Sequence, residues 1–242
     1  MYRKIMGFLE AWKESEHRKP LILQGARQVG KTYSILEFGR THYENVAYFN
    51  FETNPKLNET FEENISPDYL IPILSHIAGQ TIVKEKTLIV FDEVQLCERA
   101  LNSLRFFSGS GWRICATGSQ LGVATRKRKL PFPSGVRQET MHPMSFEEFL
   151  WALDEEQMAD AVRTHAGTLD AYAAHQAALS LFHRYQVVGG MPAAVNAYRK
   201  TLSIEDARVE QREIDETYTA DMTDPENGIS GVAARKVWRS IP

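Results

Sequence analysis

The sequence predicts an α/β domain, a parallel sheet with helices against it, followed by a small all-α subdomain. Three observations predict it. Short apolar runs alternate with stretches of helical period from Met1 to Leu150. One of those runs, Leu21-Ile22-Leu23, leads directly into Gly25-Ala26-Arg27-Gln28-Val29-Gly30-Lys31-Thr32, which has the spacing Gly-x-x-x-x-Gly-Lys-[Ser/Thr]. After Trp151 the composition turns alanine-rich and the strand signals stop. Parallel strands buried on both faces read as continuous apolar runs rather than as alternation, and these runs do.

Composition bounds the partners. The 242 residues are 43% hydrophobic and 24% charged, with a net charge of −3. That suits one large or two smaller domains with a sizeable core, and gives no overall electrostatic case for nucleic acid or an anionic membrane. The two cysteines, Cys97 and Cys115, stand at no metal-ligand or redox spacing, which argues against a zinc or disulfide framework and favours a reducing cytoplasm. Arg3 and Lys4 are followed by charged residues instead of the apolar segment of a secretory signal. No apolar run approaches the roughly 20 residues needed to span a bilayer. A cytoplasmic protein without a membrane span is the expectation.

The elements follow in order. Ile5, Phe8, Leu9 and Trp12 recur at spacings of three and four, giving a helix that runs out in the charged Lys13 to Lys19 stretch and is stopped by Pro20. The strand Leu21 to Gln24, the glycine loop and a helix from Tyr33 to about Arg40 come next. Val46 to Phe51 is a second strand, broken by Asn54-Pro55. Two weaker helical segments fill residues 57 to 78, separated by Ser66-Pro67, with Leu70, Ile73, Leu74 and Ile77 on a shared face. Thr87 to Glu93 is a buried strand ending in two carboxylates, Glu98 to Phe107 a helix, and Trp112 to Ser119 another strand. Between Gly122 and Gln138 the pattern dissolves around Arg126-Lys127-Arg128-Lys129, and Val136 to Met141 is the last strand. Ser145 and Glu148 have capping-box spacing. The helical subdomain then includes the glycine turn Val187 to Pro192 and helices over 192–200 and 203–221. His165, His175 and His183 read as ordinary polar-face residues. At Gly231 to Pro242 a helix begins, with Ala233, Val237 and Trp238 on one face, so this segment is expected to open a truncated region. The expected domains are residues 1–150, 151–228 and 229–242.

Chemistry concentrates at the strand ends. Glycines let a backbone wrap around phosphates with its N–H groups pointing inward, and a helix starting there adds positive potential. Gly25, Ala26, Arg27, Gln28, Val29, Gly30, Lys31, Thr32 and Tyr33 form the expected nucleotide-contacting set. Lys31 would reach the β- and γ-phosphates, and Thr32 would place its hydroxyl on Mg²⁺. Asp92 reaches the edge of the sheet where ligands of open α/β folds sit. There it could hold Mg²⁺ through water, while Glu93 orients or deprotonates an attacking water. Thr117 or Ser119 could sense the γ-phosphate from the neighbouring strand. The plain alternatives are a strand-to-helix turn, acidic residues capping a helix, and a serine N-cap. The basic run is a solvated loop, or else it supplies an arginine to a neighbouring subunit's nucleotide or contacts polynucleotide phosphates.

The set Pro20 to Thr32, Phe91-Asp92-Glu93-Val94-Gln95, Thr117-Gly118-Ser119, Pro143 to Leu150 and Gly189-Gly190-Met191-Pro192 resembles the AAA+ ATPases. In detail it is similar to a bacterial and archaeal group known simply as ATP-binding proteins, which carry a further C-terminal domain of unknown function. The resemblance extends over essentially the whole chain. It implies a P-loop NTPase (AAA+-like) fold, with a parallel five-stranded sheet flanked by helices and a small all-α subdomain, and a C-terminal domain absent or truncated here. It implies ATP and Mg²⁺ as ligands, Lys31 on the phosphates, Thr32 and Asp92 on Mg²⁺, Glu93 on the water, and Ser119 or Thr117 as sensor. Asn50 matches a polar partner that restrains the catalytic glutamate. Where the group has a Gly-Arg-Val-like segment, Ser134-Gly135-Val136-Arg137 stands instead, leaving Arg126, Arg128 and Arg137 as candidates for an arginine finger. The functional expectation is Mg²⁺-dependent ATP hydrolysis, with a homo-oligomer or partner protein supplying the arginine. The alternatives are an ATP-dependent switch or scaffold and a DNA-associated motor. Tyr2, Ile5 and the Gly189-Gly190 turn are candidates to hold the adenine.

Overall fold

Five short strands, four of them mainly apolar, pair side by side in the computed structural model, which describes residues 1–16, 18–119, 133–165, 174–223 and 231–240. They are β1 (Leu21–Gln24), β2 (Asn45–Asn50), β3 (Thr87–Asp92), β4 (Arg113–Gly118) and β5 (Arg137–Thr140). Every pairing is parallel, and the order is β2-β3-β4-β1-β5. β3 is buried along its whole length, as its unbroken apolar run requires. β5 is exposed along most of its length, which its polar Arg-Gln-Glu-Thr sequence tolerates at an edge. The sheet is therefore the five-stranded parallel one that the sequence predicts.

Before the first strand comes α1 (Ile5–Glu14), and between the strands run α2 (Lys31–His42), α3 (Pro67–Ala78) and α4 (Glu98–Phe107), with 3₁₀ turns at Pro55–Phe61 and Val94–Leu96. Leu9 and Trp12 are the buried residues of α1. In α3 the buried side is Leu70, Ile71 and Leu74, while Ile77, expected on that face, is exposed in the last turn. Phe49, Phe51, Phe61, Phe91 and Phe107 meet edge to face or tilted, with ring centroids 5.6–6.5 Å apart. Such pairs each add about 0.5–1.5 kcal/mol beyond area burial. Phe91 is the hub of this cluster and immediately precedes Asp92, so the strand end that carries the acidic pair rests on a rigid aromatic base.

These elements belong to one compact unit, Arg3–His142; Met1–Tyr2 and Pro143–Pro242 form a second. The second unit is helical, with α5 (Phe146–Ala152), α6 (Glu156–His165), α7 (His175–Val188), α8 (Pro192–Thr201), α9 (Ile204–Thr223) and α10 (Gly231–Ser240). The capping box opens α5 as its spacing predicts. Ser145 Oγ accepts from the Glu148 N–H at 3.3 Å, and Glu148 Oε2 accepts from the Ser145 N–H at 2.8 Å. Phe149, Ala152, Val188, Ala194, Val195, Tyr198 and Ala207 make up most of its core. The glycine turn after α7 has a packing reason: a Cβ on Gly190 would lie 2.2 Å from the Met144 carbonyl oxygen, and the Gly190 carbonyl accepts from the Met144 N–H at 2.6 Å. That close approach explains Gly190 without an adenine.

Candidate functional site

The loop between β1 and α2 is shaped by backbone constraints before any side chain acts. Gly25, at φ 156°, lies so close to the end of β5 that a Cβ would meet the Met141 carbonyl oxygen at 2.2 Å, so no other residue fits. Gln28 is left-handed at φ 64° and Gly30 at φ 95°. Gly30 is the N-cap of α2 and offers no side-chain cap, so the first turn of that helix presents backbone donors and the positive end of its dipole. Lys31 folds back over the loop, donating from Nζ to the carbonyls of Gly25 at 3.0 Å and Ala26 at 2.8 Å. Burial pushes its ammonium below the ordinary lysine range, while Glu93 and Asp92 act in the opposite direction. Arg27 forms an ion pair with Glu52 at 3.8 Å, Val29 is buried, and Tyr33 is 58% exposed on α2.

The sheet order brings the other residues to this loop. β4 lies between β1 and β3, so strand ends about 10 Å apart are bridged over it. Thr32 donates from Oγ1 to Asp92 Oδ1 at 2.8 Å, across 60 residues of chain. Thr117, buried at the end of β4, donates to the same oxygen and accepts from the Glu93 N–H at 3.2 Å. Asp92 Oδ2 accepts from Tyr48 Oη at 2.6 Å and Asn50 Nδ2 at 3.0 Å. Only 3% of Asp92 is exposed, and the carboxylate accepts four donors. The Tyr48 phenol is pushed up to about 12, first by burial and then by its bond to Asp92.

Glu93 is held separately. Its backbone is left-handed at φ 53°, and its Oε2 accepts from Ser119 Oγ at 2.9 Å and Gln95 Nε2 at 2.5 Å. The sequence expectation attached Asn50 to this glutamate; its amide reaches Asp92 instead. The physical reason is register. Asn50 pairs with Asp92 across β2 and β3, and its Oδ1 is fixed by the N–H groups of Glu52 and Thr53 at 2.9 and 2.8 Å. The restraint on Glu93 falls to Ser119 and Gln95.

Arg137 opens β5 opposite Leu21, roughly 10 Å of strand away from the loop edge, and its guanidinium lies 4.5 Å from the centroid of the Phe8 ring. It is therefore not placed to serve the loop of its own chain. Arg126 and Arg128 lie outside the described residues. Three residues at the site were given no role from sequence. Tyr48 is two before Asn50 on one strand, so the period of two could have found it. Gln95 and Arg3 gave no such signal. Arg3 is 7% exposed and donates from Nη1 to the Val29 carbonyl at 2.7 Å and from Nη2 to the His142 carbonyl at 2.7 Å.

A family model described as "AAA domain" matches residues 17–150. The chain belongs to the AAA domain family. Family and sheet together make it an AAA-type P-loop ATPase module. A second family model, described as "Domain of unknown function (DUF8612)", matches residues 179–242 of this AAA protein. No curated protein matches the chain. Among solved structures it is similar to C. elegans PCH-2, at 12% identity and a TM-score of 0.46, over 86% of this chain and 68% of that one. It is also similar to a structure of Drosophila ORC bound to DNA, at 13% identity and a TM-score of 0.45, over 91% of this chain and 62% of that one. Among the described residues no helix is long and apolar enough to cross a membrane.

The donor set fits a hard cation that keeps most of its waters. The Thr32 hydroxyl and Asp92 carboxylate offer hard oxygen atoms 2.8 Å apart. No cluster of three or more His, Cys, Asp or Glu residues able to hold a metal occurs among the described residues. Two hard oxygen donors of this kind are compatible with Mg²⁺ that keeps several waters.

Proposed function

We propose that this AAA domain binds ATP with Mg²⁺ and hydrolyses it through in-line attack of a water on the γ-phosphate. The observation that carries the reading is the Thr32–Asp92 hydrogen bond, which joins the phosphate loop to the acidic strand end. Mg²⁺, when bound with the nucleotide, supplies charge neutralisation on the β- and γ-phosphate oxygens. The residues do the rest. Lys31 gives up the Gly25 and Ala26 carbonyls and turns its ammonium to the phosphates. Thr32 and Asp92 hold the cation's position. Glu93, with Oε2 anchored by Ser119 and Gln95, has Oε1 left to orient the water and take its proton. We further propose an arginine supplied by a second copy or a partner protein, slow turnover without it, and a cytoplasmic setting.

Phosphate release by the wild type, Lys31→Ala and Glu93→Gln tests the reading. Lys31→Ala should lose nucleotide binding, and Glu93→Gln should bind nucleotide with turnover reduced at least about 100-fold. Full activity in Glu93→Gln alongside lost binding in Lys31→Ala would overturn the assignment of Glu93.

A further inference from the structure

A carboxylate has about four lone-pair sites, and Asp92 fills all of them with protein donors: Thr32 and Thr117 on Oδ1, Tyr48 and Asn50 on Oδ2. A cation held through water at Asp92 brings further donors, so one of the four must leave. Three are constrained. Thr32 can keep its bond, because a hydroxyl that ligates a metal through a lone pair still donates its proton. Thr117 is wholly buried and also accepts from the Glu93 N–H. Asn50 is pinned by two backbone N–H groups at its Oδ1. Tyr48 is the most readily released: its hydroxyl also accepts from Asn50 Nδ2 at 3.0 Å, but no backbone group holds it. It is 40% exposed on an edge strand, and its hydroxyl can exchange Asp92 for solvent.

We propose that Tyr48 is a displaceable donor that occupies Asp92 Oδ2 until Mg²⁺ is taken, so that the exposed side of β2 reports metal occupancy. The inference rests on the reading of Asp92 as a metal-holding residue and adds a positioning residue to it. Before the metal arrives, Tyr48 keeps the carboxylate oriented. When the metal arrives, its departure opposes binding by about the net worth of one hydrogen bond.

The test uses the full chain with Mg²⁺ and a slowly hydrolysed ATP analogue. Titrating Mg²⁺ should give the wild type a saturable tyrosine ultraviolet difference signal larger than that of Tyr48→Phe, the excess being the Tyr48 part, since any response of Tyr33 at the loop is common to both proteins. Tyr48→Phe should also need about three- to tenfold less Mg²⁺ for half-saturation of analogue binding, the factor expected for removing one net hydrogen bond. The wild-type spectrum is read without any variant, so a misfolded Tyr48→Phe would not rescue the idea. No tyrosine signal, a signal equal in both proteins, or an unchanged or higher Mg²⁺ requirement overturns it. Absence of any Mg²⁺-dependent analogue binding by the wild type would overturn the underlying functional reading as well; binding without a Tyr48 response overturns this inference alone.

Discussion

Removing the Arg3 guanidinium should loosen the phosphate loop from outside it. Arg3 joins two main-chain carbonyls, one on Val29 within the loop and one on His142 just beyond β5, each at 2.7 Å. Hydrogen bonds from a charged donor are worth about 1.5–3 kcal/mol each. The Val29 residue is buried and its carbonyl would lose this donor, whereas His142 is exposed and water can replace the donor. The low end of the sum, about 3 kcal/mol, is therefore expected for Arg3→Ala. In a unit of this size that lowers the melting temperature by roughly 6–12 °C. Arg3→Lys keeps the charge but not the fork, reaches one carbonyl, and should recover about half of the loss. The freed loop must be reordered on binding, so affinity for a fluorescent ATP analogue should fall about tenfold, equivalent to about 1.4 kcal/mol. Calorimetric melting and equilibrium titration of the three proteins provide the assay. Arg3→Ala with the wild-type melting temperature and affinity would refute the reasoning. Arg3→Lys no better than alanine would refute the part that rests on charge.

Four further outcomes are expected. Gly25→Ala places a Cβ 2.2 Å from the Met141 carbonyl oxygen at a backbone angle that resists side chains, so a loss of at least about 2 kcal/mol is expected in urea unfolding. Gly79→Ala, with nothing within 4 Å, should lose about 1 kcal/mol from its left-handed φ alone. Gln95→Ala removes one of the two anchors on Glu93 Oε2 and, under the proposed function, should lower kcat about tenfold with KM nearly constant; steady-state phosphate release checks the split. Tyr48 sets the last. Its folded pKa of about 12 lies above the ordinary 10.0, so the folded chain holds this proton longer than the unfolded one. The contribution is complete below pH 10.0, is lost as pH rises to about 12, and should be missing from the alkaline limb of Tyr48→Phe stability curves.

The sheet was readable because its signals are local. Buried parallel strands must be apolar throughout, and the helix over Glu98–Phe107 is found with the bounds its periodicity gives. The loop was readable because phosphate contact constrains residue type at fixed spacing. What could not be read was set by neighbours distant in sequence. Asn50 was expected on Glu93, yet which carboxylate it meets depends on strand register, and register pairs it with Asp92. Arg3 acts on carbonyls 26 and 139 residues away, and no period or motif marks a side chain whose partners are bare backbone. Tyr48 shares a strand face with Asn50, which the period of two makes legible, but its partner Asp92 lies 44 residues away and is not.

Two consecutive carboxylates on a strand would normally face opposite sides of the sheet, and one of them would then be lost to a nucleotide site. The left-handed turn at Glu93, φ 53°, ends the strand's alternation at that residue. Asp92 and Glu93 consequently both lie near enough to act on the Lys31 ammonium. A non-glycine residue in that region costs on the order of 1 kcal/mol, and the Thr117 hydroxyl offsets part of it by accepting from the Glu93 N–H while donating to Asp92. The same turn divides the pair by environment. Asp92 is enclosed by four donors, and Glu93 is anchored through one oxygen. A residue at position 93 that restored an extended backbone would therefore do more than delete a carboxylate: it would release Thr117 from its second bond and disturb Asp92 too. Glu93→Val should accordingly weaken Mg²⁺-dependent nucleotide binding, where Glu93→Gln should spare it, and equal binding by the two variants in a calorimetric titration would show that the turn has no part in building the site.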